Sequence, residues 1–272
     1  MQSFRAARGL NALRRSPTAI PSKQQGLPAR TQPCRAASNG VPESATAGPG
    51  RGALIVFEGI DRCGKSTQCS LLLESLRKQG VRAELWRFPD RTTLIGGLIN
   101  EYLQKQASLN DAAVHMLFVA NRHEKREEML RLLAGGTTLV LDRYSYSGVA
   151  YTAAKAVPHL GAGFCRSVEA GLPAADLVVY LDLDPEQSAA RGGFGGERYE
   201  KVEFQKKVRS QYAALADERW LRLDASQPAE QLHGQLAAAV RRVVERAAAG
   251  EPLGQLWDYA PMPLPASVSA AQ

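Results

Sequence analysis

The sequence predicts an α/β fold in which a five-stranded parallel sheet is flanked by helices in three layers. Three observations lead there. Short apolar runs of strand length alternate along the chain with longer segments of helical spacing. The best of these runs are apolar at every residue rather than every second one, as a strand covered on both faces requires. A glycine-rich turn joins the first run to the first helical segment, so the chain reads strand, loop, helix at that point.

Each element can be justified in turn. Ala53 to Phe57 is a continuous apolar run ending in Glu-Gly, the mark of a buried strand. Lys65 to Gln79 places Leu72, Leu73 and Leu76 on one helical stripe and is closed by Gly80. Ala83 to Trp86 reads as a second strand, followed by helical stretches over 94–106 and 111–134, the latter stopped by Gly135-Gly136. Thr137 to Leu141, Asp176 to Leu183 and Trp220 to Leu223 supply the remaining strands, and a helix is expected over 228–248. No internal repeat interrupts this alternation. One α/β domain over residues 51–257 accounts for it, with a Pro/Ala/Ser-rich tail over 258–272.

The charge is unevenly placed. The 272 residues carry a formal net charge of +7, which on its face suggests a nucleic-acid partner. Residues 1–50, however, hold seven basic side chains, one acid and six of the fifteen prolines, so they account for +6 of the total. An Arg-, Ser- and Ala-rich segment almost free of acids, without the apolar stretch of a secretory signal, reads as an organellar transit peptide. It points to a mitochondrion or a plastid. The rest of the chain is near neutral, and no nucleic-acid partner is expected. Nor is a membrane, since no stretch approaches the roughly 18 uninterrupted apolar residues of a spanning helix. The four cysteines (Cys34, Cys63, Cys69, Cys165) form no C-x-x-C pair and have no His partners at zinc spacing, which argues against a soft-ligand metal cage.

Gly59-Ile60-Asp61-Arg62-Cys63-Gly64-Lys65-Ser66-Thr67 fits G-x-x-x-x-G-K-[ST] directly after the first strand and before the first helix. Glycines let the backbone wrap closely enough for successive N–H groups to hold phosphate oxygens. The helix adds its positive N-terminal end. Lys65 can reach the β- and γ-phosphates and the Ser66 hydroxyl can ligate Mg²⁺. The chain therefore binds a nucleoside triphosphate and belongs with the P-loop NTPases. The motif alone leaves the use of the triphosphate open. No Asn-Lys pair exists in the chain, which removes the guanine-reading motif of a GTPase switch. A kinase needs a second anion site, for which Arg87, Arg91, Arg122 and Arg143 are candidates. Asp142-Arg143 is the most informative pair, standing at the carboxyl end of the third strand, where open α/β sheets bind ligands. A kinase for a nucleoside monophosphate and a regulatory or nucleic-acid-binding P-loop protein without a small acceptor both remain possible at this stage.

Further motifs narrow the choice. Arg87-Phe88-Pro89-Asp90-Arg91, Leu117 to Arg122, Asp142-Arg143-Tyr144 with Ser147 to Tyr151, Gly171-Leu172-Pro173, Arg191 to Glu200 and Pro252 to Trp257 together make the chain resemble the eukaryotic-type thymidylate kinases, within the nucleoside monophosphate kinases. The resemblance spans about residues 51–257 and implies ATP- and Mg²⁺-dependent phosphorylation of dTMP to dTDP. It implies catalytic roles for Arg62, Lys65, Asp142 and Arg143, and ATP contacts from Gly59, Arg62, Cys63, Gly64, Lys65, Ser66, Thr67 and Arg191. It places dTMP against Asp61, Phe88, Arg91, Phe118, Arg122, Arg143, Ser147, Gly148, Tyr151 and Tyr199. Of these, Arg91 and Arg143 would hold the acceptor phosphate, Phe118 would stack on thymine and Arg122 would bond its exocyclic oxygen. Tyr151 would crowd the sugar against a 2′-hydroxyl. Magnesium would sit on Ser66 and, through water, on Asp142. Residues 191–200 would form a lid, with Arg191 and Arg198 able to approach the phosphates on closure. A homodimer formed through helices is expected as well.

Overall fold

The structure is a computed structural model and describes residues 50–258. The expected transit peptide and C-terminal tail, apart from their residues Gly50 and Asp258, lie outside the described residues.

The elements run in the order β1 (Leu54–Glu58), α1 (Lys65–Lys78), β2 (Ala83–Arg87), α2 (Leu94–Leu103), α3 (Asp111–His123), α4 (Arg126–Ala134), β3 (Thr138–Asp142), α5 (Ser145–Ala153), α6 (Ala162–Ser167), β4 (Leu177–Asp182), α7 (Pro185–Ala189), α8 (Val202–Leu215), β5 (Trp220–Asp224) and α9 (Ala229–Ala248). The strands form one sheet in the order β2-β3-β1-β4-β5, every pair parallel. β1, β3 and β4 are buried at every residue, which is why their sequences are apolar runs without alternation. The two edge strands are only partly covered.

The fold class and all five strands are as expected, each strand shifted by at most a residue or two at its ends. Two helices differ. The expected helix over 94–106 ends at Leu103, because the chain turns through a positive φ of 63° at Lys105. The expected helix over 111–134 is two. At the junction the Lys125 N–H donates to Arg122 O at 3.2 Å, an i→i+3 contact, and the Glu124 carboxylate accepts from Asn121 Nδ2 at 2.6 Å and Thr93 Oγ1 at 2.7 Å. No Gly or Pro marks that break, so the apolar period runs through it. Helices α5 to α8 have no counterpart in the sequence reading.

Parallel register aligns the carboxyl ends of β2, β3 and β1. Phe57 pairs with Asp142 and Arg87 pairs with Asp142 from the other side, which brings the phosphate loop, the Arg87 strand end and the Asp142-Arg143 turn to one edge. Helices α3 and α5 border this edge, with α5 packed on both α3 and α8.

Candidate active site

The carboxyl edge of the sheet opens into a cavity of about 1000 Å³. The phosphate loop forms its floor. Gly59 adopts φ 143°, and a Cβ there would lie 2.5 Å from Leu181 O, so only glycine permits the loop to leave β1 beside β4. Gly64 caps α1 in a left-handed conformation with no side-chain cap, leaving the first N–H groups of the helix directed into the loop. Lys65 is buried, its Nζ donating to Ile60 O at 2.6 Å and Gly59 O at 3.2 Å. Cys63 is buried behind the loop with its Sγ 3.5 Å from the same ammonium.

Beside the loop, Ser66 Oγ donates to Asp142 Oδ2 at 2.6 Å, and Arg87 reaches both, with Nη2 2.9 Å from Ser66 Oγ and Nε 3.2 Å from Asp142 Oδ2. A hydroxyl and a carboxylate at this spot are hard oxygen donors suited to Mg²⁺, which keeps several waters and takes phosphate oxygens for its remaining positions. The donor set fits that ion. Among the described residues no cluster of three or more His, Cys, Asp or Glu side chains offers a protein-only metal cage.

Across the cavity stands Arg143, at φ 71°. Its Nη2 donates to Asp61 Oδ1 at 2.5 Å and its Nη1 to Gly59 O and Ser147 Oγ, both at 3.0 Å, while the guanidinium lies 5.2 Å from the centre of the Tyr151 ring. Asp61 is held in turn by Gln205, which donates to Oδ2 at 2.7 Å and accepts from the Asp61 N–H at 3.0 Å. Burial pushes the Tyr151 phenol well above its ordinary range, so it stays a neutral hydroxyl beside Asp61 and Arg143.

The far wall comes from Phe88, Val114, Phe118 and Arg122. Arg122 is buried and paired with the fully buried Glu169, Nε donating to Oε2 at 2.9 Å and Nη2 to Oε1. The bidentate grip fixes the plane of the guanidinium. Gly148 makes room for it: a Cβ at that position would lie 2.7 Å from Arg122 Nη2.

The segment 191–200 covers the cavity. Glu200 accepts from Arg62 Nε at 2.9 Å and from the N–H groups of Gly195 and Glu197, and Glu197 pairs with Arg91 at 2.8 Å. Arg191 spans Arg62 O and Ala225 O at 2.9 and 3.0 Å, which puts its guanidinium over the phosphate loop.

Arg62, Lys65, Asp142 and Arg143 all line the cavity, as do Asp61, Phe88, Arg91, Phe118, Arg122, Ser147, Gly148, Tyr151 and Tyr199, together with Ser66. Gly59, Cys63, Gly64, Thr67 and Arg191 do not line it; they shape or flank the loop around it. Arg198, expected to be able to swing toward the phosphates, is committed elsewhere: it donates to Tyr102 O at 2.8 Å and Ala107 O at 2.7 Å and packs over the Tyr102 ring. Glu169, Gln205 and Tyr212 carry no motif signal, because each acts through a neighbour rather than within a run of recognisable residues; Glu58 stands in the run before the phosphate loop, where sequence alone marks only the end of the strand.

The chain has known relatives. The sequence profile of the thymidylate kinase family matches residues 57–236. The chain belongs to the thymidylate kinase family. It is 49% identical over 220 residues to the thymidylate kinase of Arabidopsis thaliana, covering 81% of this chain and 82% of that protein. It is 44% identical over 210 residues to the human thymidylate kinase, covering 76% of this chain and 98% of that one. The solved thymidylate kinase of Candida albicans aligns with a TM-score of 0.68 at 37% identity, over 77% of this chain and all of that one. The family match begins at the last residues of β1 and takes in the phosphate loop, the Arg143 turn, residues 191–200 and α8.

Proposed function

We propose that this chain phosphorylates dTMP to dTDP with ATP and Mg²⁺, supplying a precursor of dTTP. Membership of the thymidylate kinase family supports the reaction, and one observation supports its location here. A single cavity has a triphosphate-binding loop at one end and a rigidly held arginine and aromatic wall at the other.

ATP lies along the phosphate loop in this reading, its phosphates held by the loop N–H groups, Lys65 and Arg62, with Arg191 over the loop. dTMP lies across it, its phosphate on Arg143 and Arg91 and its thymine between Phe118 and Arg122. Asp61 faces the sugar, and Tyr151 and Tyr199 narrow the space around it. The nucleophile is an oxygen of the dTMP phosphate, ionised at neutral pH, so no strong general base is needed. Catalysis consists of aligning two anions and neutralising charge as the phosphoryl group moves between them. Mg²⁺, when bound at Ser66 and the water shell of Asp142, supplies part of that neutralisation. Closure of residues 191–200 excludes water, the competing acceptor. The Glu200 contact to Arg62 makes that closure report on the phosphate loop.

Coupled assays with dTMP, dUMP, UMP, CMP and AMP test the substrate: dTMP is expected to have the highest kcat/KM, and preference for a ribonucleotide or ATP turnover without a nucleotide product would reject the reading. Residues 1–50 are proposed as a mitochondrial or plastid address, tested by the destination of a fluorescent protein carrying them. Residues 51–257 are proposed as the catalytic domain. A homodimer through α2, α3 and α6 is supported by the exposed Leu94, Leu98, Met116 and Phe164, and sedimentation of the full chain tests it.

A further inference from the structure

We propose that Glu58 is a positioning residue for Arg143, holding the acceptor-phosphate arginine through the hydroxyls of Ser147 and Tyr212 and through the first turn of α5. The inference rests on the reading of Arg143 as the clamp for the dTMP phosphate.

Glu58 ends β1 and is fully buried. Four donors converge on its carboxylate. Oε1 accepts from the Tyr144 N–H at 2.9 Å and the Ser147 N–H at 3.0 Å. Oε2 accepts from Ser147 Oγ at 2.5 Å and Tyr212 Oη at 2.9 Å. This donor set matches the ionised carboxylate. Burial raises the Glu58 pKa, and the Arg143 charge with these hydrogen bonds opposes that rise.

Two consequences reach Arg143. The first concerns protons. Ser147 Oγ and Tyr212 Oη lie 3.0 and 3.4 Å from Arg143 Nη1 and 2.8 Å from each other. A hydroxyl has one proton and two lone pairs. With both protons directed at Glu58, both oxygens present lone pairs to the guanidinium. Without the carboxylate, one hydroxyl must donate to the other or turn its proton toward a cation.

The second concerns the backbone. α5 has Tyr144 at its N-cap and no side-chain cap of its own, so its first N–H groups need acceptors from outside the helix. Glu58 supplies them from β1. It thereby fixes the chain just after Arg143, whose left-handed φ of 71° is unfavourable for a side-chain-bearing residue. The Arg143 N–H bond to Phe57 O at 3.0 Å fixes it from the other side.

The test uses Glu58→Gln and Tyr212→Phe in the full chain, with Arg143→Ala as reference, measuring KM for dTMP and for ATP, dTMP affinity by calorimetry, and the melting temperature. In Glu58→Gln the amide oxygen can keep the two backbone N–H groups, but its NH₂ donates to the hydroxyl oxygens, so one hydroxyl donates to the other and the remaining proton turns toward Arg143. KM and Kd for dTMP are expected to rise about tenfold, the scale of one hydrogen bond to a charged group, with KM for ATP within about twofold. Tyr212→Phe, which removes one of the two hydroxyls, is expected to raise both dTMP constants by about threefold. In a Ser147→Ala/Tyr212→Phe background, Glu58→Gln is expected to cost clearly less than alone, because its intermediaries are gone. An unchanged dTMP KM in Glu58→Gln, an equal rise for ATP, or full additivity with the double variant overturns the proposal. If Glu58→Gln does not fold, Tyr212→Phe decides, and unchanged dTMP affinity there overturns it. An Arg143→Ala variant with normal dTMP affinity overturns the clamp reading and this inference with it. A defective Arg143→Ala beside a silent Glu58→Gln overturns this inference alone.

Discussion

Arg143 meets five oxygen atoms with two guanidinium nitrogens: Gly59 O, Ser147 Oγ and Tyr212 Oη at Nη1, and Asp61 Oδ1 and Tyr151 Oη at Nη2. A planar fork fixed on so many sides is a prepared anion site, since little rotamer freedom remains to be lost when a phosphate arrives. Arg143→Ala is accordingly expected to lower kcat/KM for dTMP by at least roughly a hundredfold in a coupled assay. Arg143→Lys restores a charge without the fork and is expected to stay at least about tenfold below the natural enzyme. A normal rate in either variant would place the acceptor phosphate elsewhere. At this scale the sequence was legible wherever a residue sat in a motif. Lys65, Ser66, Asp142 and Arg143 could be picked from short runs whose chemistry is explicit. Gln205 could not, because it sits in α8 among Lys, Val and Phe, and only the folded chain brings it 2.7 Å from Asp61.

Periodicity and composition located the elements that carry the sheet, because burial on both faces leaves an apolar run that no loop imitates. They missed those whose helicity is imposed by tertiary contacts. α5 reads Ser-Tyr-Ser-Gly-Val-Ala-Tyr-Thr-Ala, a poor helix by propensity, and its first turn is capped by Glu58 from another element. The α3–α5 contact has a property of its own. His115 on α3 is buried, with Nδ1 2.9 Å from Thr152 Oγ1 on α5 and its ring 6.0 Å from Phe164 on α6. Burial, with the Arg122 and Lys155 charges adding to it, lowers its pKa from 6.5 to about 4. A histidine whose folded pKa lies below its unfolded one is neutral in the fold while the unfolded chain takes up a proton. Stability is therefore full above pH 6.5 and falls as pH drops toward 4, levelling off below that as the folded state protonates too. The loss expected from this one group across the window is of order 3 kcal/mol. Chemical denaturation of natural and His115→Gln protein at pH 7 and pH 5 checks it: the variant should lose distinctly less on acidification. Equal losses would remove His115 as the cause.

At the scale of the whole molecule, both ends of the described chain meet at one buried ion pair. Arg51 is buried, and its guanidinium grips Asp176 with Nη1 and Nη2 at 2.8 and 2.7 Å while Nε donates to Glu251 O at 2.7 Å. Asp176 also accepts from the Leu54 N–H at 2.8 Å, so the entrance to β1 and the turn before β4 share one carboxylate, and the Arg51 guanidinium ties the segment after α9 to them. The adjoining glycines leave no slack: a Cβ at Gly50 would meet Ala248 O at 2.3 Å and one at Gly52 would meet Thr137 O at 2.0 Å. The charge asymmetry of the sequence gains a structural edge here. Of the +7, +6 lies before Arg51, and the first residue of the near-neutral body is itself a basic side chain, used inside the protein rather than on its surface. Any removal of the basic segment must then stop short of this residue. A chain starting at Gly50 is expected to melt with the full-length protein and to keep its kcat. One starting at Ala53, or the full chain with Arg51→Ala, leaves Asp176 without its charge partner and is expected to lose about 3 kcal/mol of stability, the scale of breaking one member of a buried pair. For a body of this size that is a fall of about 6–12 °C in Tm, read by calorimetry. Unchanged melting of the Ala53 chain would show that the folded body begins later than the Arg51 pair requires.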